Sequence, residues 1–131
     1  MNPILQARHL TKRFPGVTAL RDVAFDLQPG EVHAVCGENG AGKSTLIKLL
    51  AGIHPHGSYE GELRVGGRVA AFRSVREAEA AGIAVITQEF ALVEELSVAE
   101  NLFLGRPPRR GLRVDWPELH RRAASLLKGF G

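Results

Sequence analysis

The sequence is poor in several features, and each shortage narrows what it can be. Its 131 residues contain one cysteine, Cys36, so no disulfide can form within the chain. That usage fits a reducing compartment. No apolar run approaches the ~20 residues of a membrane-spanning helix, so any membrane role has to come through a partner. Residues 1–14 lack a long apolar stretch, and no signal peptide is expected. There is no internal repeat and no low-complexity tract. The net charge is only +3, a mild bias toward anionic ligands that does not by itself argue for nucleic acid. Arg106, Arg109, Arg110 and Arg113 form a basic stretch, but no aromatic residues are interleaved there to stack bases. It reads as an exposed loop, and no nucleic-acid partner is expected. His54 and His56 offer only two ligands on a Pro-Gly loop, a poor metal site that reads better as solvated loop.

Hydrophobic content of 44% and charged content of 24% are those of an ordinary globular chain. Residues 4–10 read as a first strand, with Thr11, Lys12 and Arg13 turning outward. Phe14-Pro15-Gly16 is a turn. Residues 22–27 alternate, with Val23, Phe25 and Leu27 on one face, the period of a half-exposed strand. Residues 62–65 and 68–72 flank Gly66-Gly67 and read as a hairpin. Ser74 and Glu77 form a capping-box pattern that opens a helix through Ala81, stopped by Gly82. Residues 83–87 read as a buried strand. Ser97 and Glu100 make a second capping box, closed by Gly105. Asp115 is an N-cap followed by Pro117 and Glu118, and Leu119, Ala123, Leu126, Leu127 and Phe130 recur at helical spacing.

The most informative stretch is Gly37-Glu38-Asn39-Gly40-Ala41-Gly42-Lys43-Ser44-Thr45, which fits G-x-x-x-x-G-K-[ST], the phosphate-binding P-loop. Val32, Ala34, Val35 and Cys36 precede it as a short apolar run that reads as a buried parallel strand, with Cys36 packed as a small apolar residue under the loop. Leu46, Ile47, Leu49 and Leu50 follow at helical spacing, and Gly52 stands where a helix would end. Glycines let the backbone curl around phosphates without a Cβ in the way. The loop and first-turn N–H groups would then donate inward, helped by the helix dipole. Lys43 would place its ammonium on the β- and γ-phosphates, and Ser44 would give its hydroxyl to Mg²⁺.

The wording of this loop resembles the Walker A motif of ABC-transporter ATPase subunits. Val85-Ile86-Thr87-Gln88-Glu89 resembles that family's Q-loop, and Phe14-Pro15-Gly16-Val17 its adenine-stacking loop. Glu94-Glu95-Leu96-Ser97-Val98-Ala99-Glu100-Asn101-Leu102 resembles the segment after the Q-loop. Within the family the likeness is to importers of pentoses and related monosaccharides, through residues 13–20 and 99–106. Residues 52–62 look like the corresponding stretch of D-xylose importers.

The resemblance implies an α/β fold: a P-loop NTPase, here an incomplete ABC ATPase cassette, with an antiparallel β subdomain and the start of a helical subdomain. Residues 1–88 would be the nucleotide-binding core with the β subdomain, and 89–131 the start of the helical subdomain. ATP and Mg²⁺ are the implied cofactors. Gly37, Glu38, Asn39, Gly40, Ala41, Gly42, Lys43, Ser44 and Thr45 would hold the phosphates, and Phe14 would stack on adenine. Ser44 and Gln88 would hold Mg²⁺, with Lys43 and Gln88 the catalytic pair. Gln88 would sit at the carboxyl end of a parallel strand, where open α/β sheets bind their ligands. Phe90, Leu92, Val93 and Leu96 would either face membrane permease subunits or pack under the next helix. A second cassette would close head to tail over the nucleotide, and a periplasmic or extracellular sugar-binding protein would act at a distance. The expected location is the cytoplasmic face of the membrane. No L-S-G-G-Q, no carboxylate-ended strand and no switch histidine occur in the sequence. The chain is therefore expected to be an N-terminal portion of one cassette, inactive in hydrolysis alone; the alternatives are a fragment of a soluble non-transport ABC ATPase and a nucleotide-binding module without turnover.

Overall fold

The computed structural model describes residues 2–88 and 91–131, in two compact units divided between Ile86 and Thr87. The first unit is built on a four-stranded sheet in the order β2-β1-β3-β4, with every pair antiparallel. Strand β1 is Leu5–Phe14, β2 Val17–Leu27, β3 Glu60–Val65 and β4 Arg68–Ala70. Helix α1 (Lys43–Leu50) packs on this sheet, and a short helix α2 (Val75–Ala80) follows β4.

The turns form where glycine permits them. Gly16 joins β1 to β2 at φ 78°, and Gly66 and Gly67 join β3 to β4 at φ 55° and 77°. The alternation expected for residues 22–27 holds, with Val23, Phe25 and Leu27 half-buried and their neighbours exposed.

Strand β1 runs four residues further than its sequence suggests, and Thr11 and Lys12 are buried instead of turning outward. The reason is a bulge. Ala7 pairs with Phe25 and Leu10 with Val23, so β1 carries one residue more than β2 over that step. His9 occupies the bulge at φ 52°. Opposite it, Asp22 also takes a left-handed backbone, φ 48°, and its carboxylate meets His9 Nδ1 at 2.7 Å. The extra residue reverses the pleat, so Ala7, Leu10 and Lys12 all point into the core. Leu10 is completely buried, while Lys12 runs its stem inward and donates from Nζ to the Ser58 carbonyl at 2.6 Å.

Helix α1 buries Leu46, Leu49 and Leu50, the i, i+3, i+4 set, against Ala7, Leu10, Leu20 and Leu63. Burying each leucine is worth roughly 1.5–3 kcal/mol. Ile47 falls off that stripe and is exposed. The helix ends as Ala51, and Gly52 follows at φ 74° with no room for a side chain: a Cβ there would lie 2.4 Å from the Ser74 carbonyl oxygen. Ser74 caps α2 by accepting from the Glu77 N–H, but Glu77 returns its carboxylate to the Arg73 N–H instead of completing the box on Ser74.

Two expected strands do not form. Residues 32–36 and 83–87 belong to no ladder and no helix. Val32 is 98% and Ile86 99% exposed, and Cys36 is exposed instead of packed under the loop. An interior parallel strand needs a neighbour across a crossover connection, and no parallel pair exists among the described residues.

The second unit holds α3 (Val98–Leu102), a small hairpin of β5 (Arg109–Arg110) and β6 (Arg113–Val114), and α4 (Trp116–Lys128). The hairpin takes up the end of the stretch expected to be loop, residues 106–113, and runs one residue past it. Ser97 and Glu100 complete a reciprocal capping box on α3. Asp115 caps α4 by accepting from the Glu118 N–H at 3.1 Å. Leu119 and Ala123 are its buried residues.

Candidate nucleotide-binding site

The glycine loop is shaped by three local features. The Ala41 N–H donates to the Glu38 carbonyl at 3.1 Å, closing a tight turn with Gly40 at φ 84°. Gly42 takes φ 95° as the N-cap of α1, and its carbonyl accepts from the Leu46 N–H at 2.9 Å. A Cβ on Gly42 would stand 2.4 Å from the Ala19 carbonyl oxygen, so only glycine fits between the loop and the start of β2. Lys43 Nζ donates to the carbonyls of Gly37 and of Glu38, the latter at 2.8 Å, and so folds its ammonium over the loop.

The N-terminus of α1 has no side-chain cap and no acidic residue in its first turn. Its leading N–H groups and the positive end of its dipole are therefore not neutralised locally. With the Lys43 ammonium beside them, they make a donor set suited to a polyanion and unsuited to a cation or an apolar ligand. Ser44 is exposed in this first turn and Thr45 half-buried. A serine hydroxyl at that position is a donor type that Mg²⁺ accepts.

Phe14 ends β1 on the hairpin whose second strand touches the loop through Ala19. Phe14 is 39% exposed. The His54 imidazole approaches it inclined, with centroids 5.5 Å apart and planes at 63°, and Lys12 Nζ lies 5.0 Å from its centroid. Burial, and after it the charges of Lys12 and Lys48, hold the His54 pKa below its ordinary value.

The structure thus gathers Phe14, residues 37–45 and α1 in the first unit. Gln88 is exposed in the second unit and does not stand at the end of a hydrogen-bonded strand, because residues 83–87 form none. Of the residues expected to face a permease, Leu92 is exposed, Val93 and Leu96 are half-buried, and Phe90 lies outside the described residues. Glu89 of the Q-loop-like stretch is likewise outside them. Reading the sequence misses what holds this segment. Asn101 accepts from the Val93 N–H at 2.9 Å and donates to the carbonyls of Val93, Leu96 and Ser97 at 3.0–3.2 Å. A lone Asn inside a helix pattern gives no such signal. His54 is missed in the same way, since loop histidines are usually solvated.

Loop, helix and sheet together define a partial cassette of the P-loop NTPase fold. The sequence profile of the ABC transporter family matches residues 20–131, and the chain belongs to that family. The chain is similar to a xylose import ATP-binding protein of Geobacillus kaustophilus, with 51% identity over 98% of this chain and 25% of that protein. It is similar to a ribose import ATP-binding protein of Rubrobacter xylanophilus, with 54% identity over 98% of this chain and 25% of that protein. It therefore spans about a quarter of the length of these curated relatives. A solved ATP-binding cassette of an ABC transporter superposes with a TM-score of 0.77 and 26% identity, covering 98% of this chain and 54% of that one.

Proposed function

We propose that this chain binds ATP with Mg²⁺ at residues 37–45, as part of the ATP-binding subunit of a monosaccharide importer. The observation that carries this is the uncapped, acid-free N-terminus of α1 beneath a Gly42 that admits no Cβ, with Lys43 folded over the loop. In this reading the loop and first-turn N–H groups of Gly37, Glu38, Asn39, Gly40, Ala41, Gly42, Lys43, Ser44 and Thr45 surround the phosphates. The Lys43 ammonium, released from its carbonyl partners, neutralises the terminal phosphates. Phe14 stacks on adenine. Ser44 would hold Mg²⁺, which would supply charge neutralisation at the phosphate oxygens when bound; Gln88 is a Mg²⁺ ligand only by its likeness to the family's Q-loop. In the complete importer Gln88 would orient the attacking water, with Lys43 as the other catalytic residue.

The xylose and ribose relatives support a pentose as the transported sugar, with D-xylose favoured by residues 52–62. In such an importer the chain would lie at the cytoplasmic face of the membrane. Leu92, Val93 and Leu96 would meet permease subunits, a second cassette would close over the nucleotide, and a sugar-binding protein would act from outside. No described helix is long and apolar enough to cross a membrane. The 131 residues contain no L-S-G-G-Q, so the chain alone should bind ATP without steady turnover.

Equilibrium titration of the chain with a fluorescent ATP analogue, with and without Mg²⁺, tests the reading. Saturable binding that Lys43→Ala weakens about tenfold or more is expected, since a charge-assisted contact to phosphate is lost. Binding that Lys43→Ala leaves unchanged would refute it.

A further inference from the structure

We propose that His54 is a positioning residue for the Phe14 ring, so that α1 fixes both ends of a bound nucleotide. The proposal rests on Phe14 as the base-stacking residue. Phe14 is the last residue of β1 and more than a third exposed, and an exposed aromatic side chain has rotamer freedom to lose on stacking. Two groups restrict it. The His54 imidazole meets the ring at 5.5 Å between centroids, and Lys12 Nζ, tied to the Ser58 carbonyl, stands 5.0 Å from the ring centroid.

His54 is itself held by α1. The N–H groups of Ile53 and His54 both donate to the Lys48 carbonyl, at 2.9 and 3.2 Å, in the helix's closing turn. That turn depends on Gly52 in the left-handed conformation, pressed on the Ser74 carbonyl. A continuous path therefore runs from the loop at Lys43, along α1, through the Lys48 carbonyl to His54 and the Phe14 ring. At about 1.5 Å per residue the eight-residue helix is a rigid strut of about 12 Å between the phosphate donors and the aromatic support. Burial, and after it the charges of Lys12 and Lys48, lower the His54 pKa and so disfavour charge on the imidazole that meets Phe14.

Calorimetric titration of the 131-residue chain with ATP and, separately, with inorganic tripolyphosphate separates the base end from the phosphate end. His54→Ala should weaken ATP about two- to tenfold, the range of one aromatic pair, and leave tripolyphosphate unchanged. His54→Phe should restore ATP binding, and His54→Gln, a smaller disturbance of the fold, should behave as His54→Ala. Phe14→Ala should weaken ATP, with His54→Ala adding nothing further on that background. If Phe14→Ala weakens ATP and the His54 variants do not, the positioning role is wrong while stacking stands. If Phe14→Ala changes nothing, the stacking reading fails and the proposal with it. Equal losses for ATP and tripolyphosphate would mean that His54 only supports the fold, which also overturns the proposal.

Discussion

Residues 4–10 and residues 32–36 both read as strands in the sequence, yet they meet opposite fates. The first pairs on both sides, with β2 and β3, and buries Leu10 completely. The second finds no ladder and leaves Val32 98% exposed. The difference lies in the range of the partner. The turn at Pro15-Gly16 returns β2 onto β1 at once, whereas a parallel strand waits for a distant segment. Apolar composition thus marks a strand as available, and a partner edge makes it form. The glycine loop sits at the boundary: its shape comes from Gly42 against Ala19 and from α1 packed on the sheet, not from the segment before it.

The comparison is broken most sharply by one truncation in each segment. Leu10→Ala should cost about 2–5 kcal/mol of the first unit's stability in chemical denaturation, and Val32→Ala no more than about 0.5 kcal/mol. Similar costs would show that residues 32–36 are packed after all.

Two glycines sharpen the claim about the loop. Gly42→Ala combines a left-handed backbone, worth about 1–2 kcal/mol of strain, with a collision against Ala19, and should abolish ATP-analogue binding. Gly40→Ala carries the same backbone sign, but a Cβ there would meet nothing within 4 Å. It should cost only that strain, about 1–2 kcal/mol, and retain measurable binding. Equal binding losses would mean that the close approach to Ala19 does not matter.

A segment without a ladder can also be held by a single side chain, as residues 93–97 are by Asn101. Asn101→Ala leaves the Val93 N–H and three carbonyls without that partner. It should cost the second unit about 1–3 kcal/mol, read from the α4 signal in denaturation. A negligible effect would place this segment with residues 32–36 instead.

The smallest effect is electrostatic. Hydrogen bonds from Arg121 and then Arg122 lower the Glu118 pKa from its ordinary 4.5 to about 2. The folded value is depressed, so this contribution is complete above pH 4.5 and is lost as pH falls toward 2. Acid titration of the second unit's helicity should show a loss in that window, reduced in Glu118→Gln. An unchanged titration curve in the variant would remove Glu118 from the account.

Much of the first unit is legible in the sequence, because its signals are local. Gly66-Gly67 marks the hairpin, Leu46, Leu49 and Leu50 mark the buried face of α1, and the P-loop pattern marks the candidate site. The capping residues Ser97 and Asp115 announce α3 and α4 for the same reason. What the sequence hides depends on tertiary context. Nothing in His9 or Asp22 announces a left-handed bulge, so the burial of Thr11 and Lys12 is not foreseen. Nothing in residues 32–36 or 83–87 tells whether a partner strand will be present. The contact of His54 with Phe14 joins a loop to a strand forty residues away and leaves no local trace.

The central claim is that residues 37–45 grip the phosphates of ATP although the segment before them has no ladder. Hydrogen–deuterium exchange on the chain, with and without Mg²⁺ and ATP, tests it residue by residue. The account predicts new protection at the amides of residues 37–45, absent in Lys43→Ala, against residues 5–14 protected throughout. Exchange at residues 37–45 that ATP leaves unchanged would contradict it.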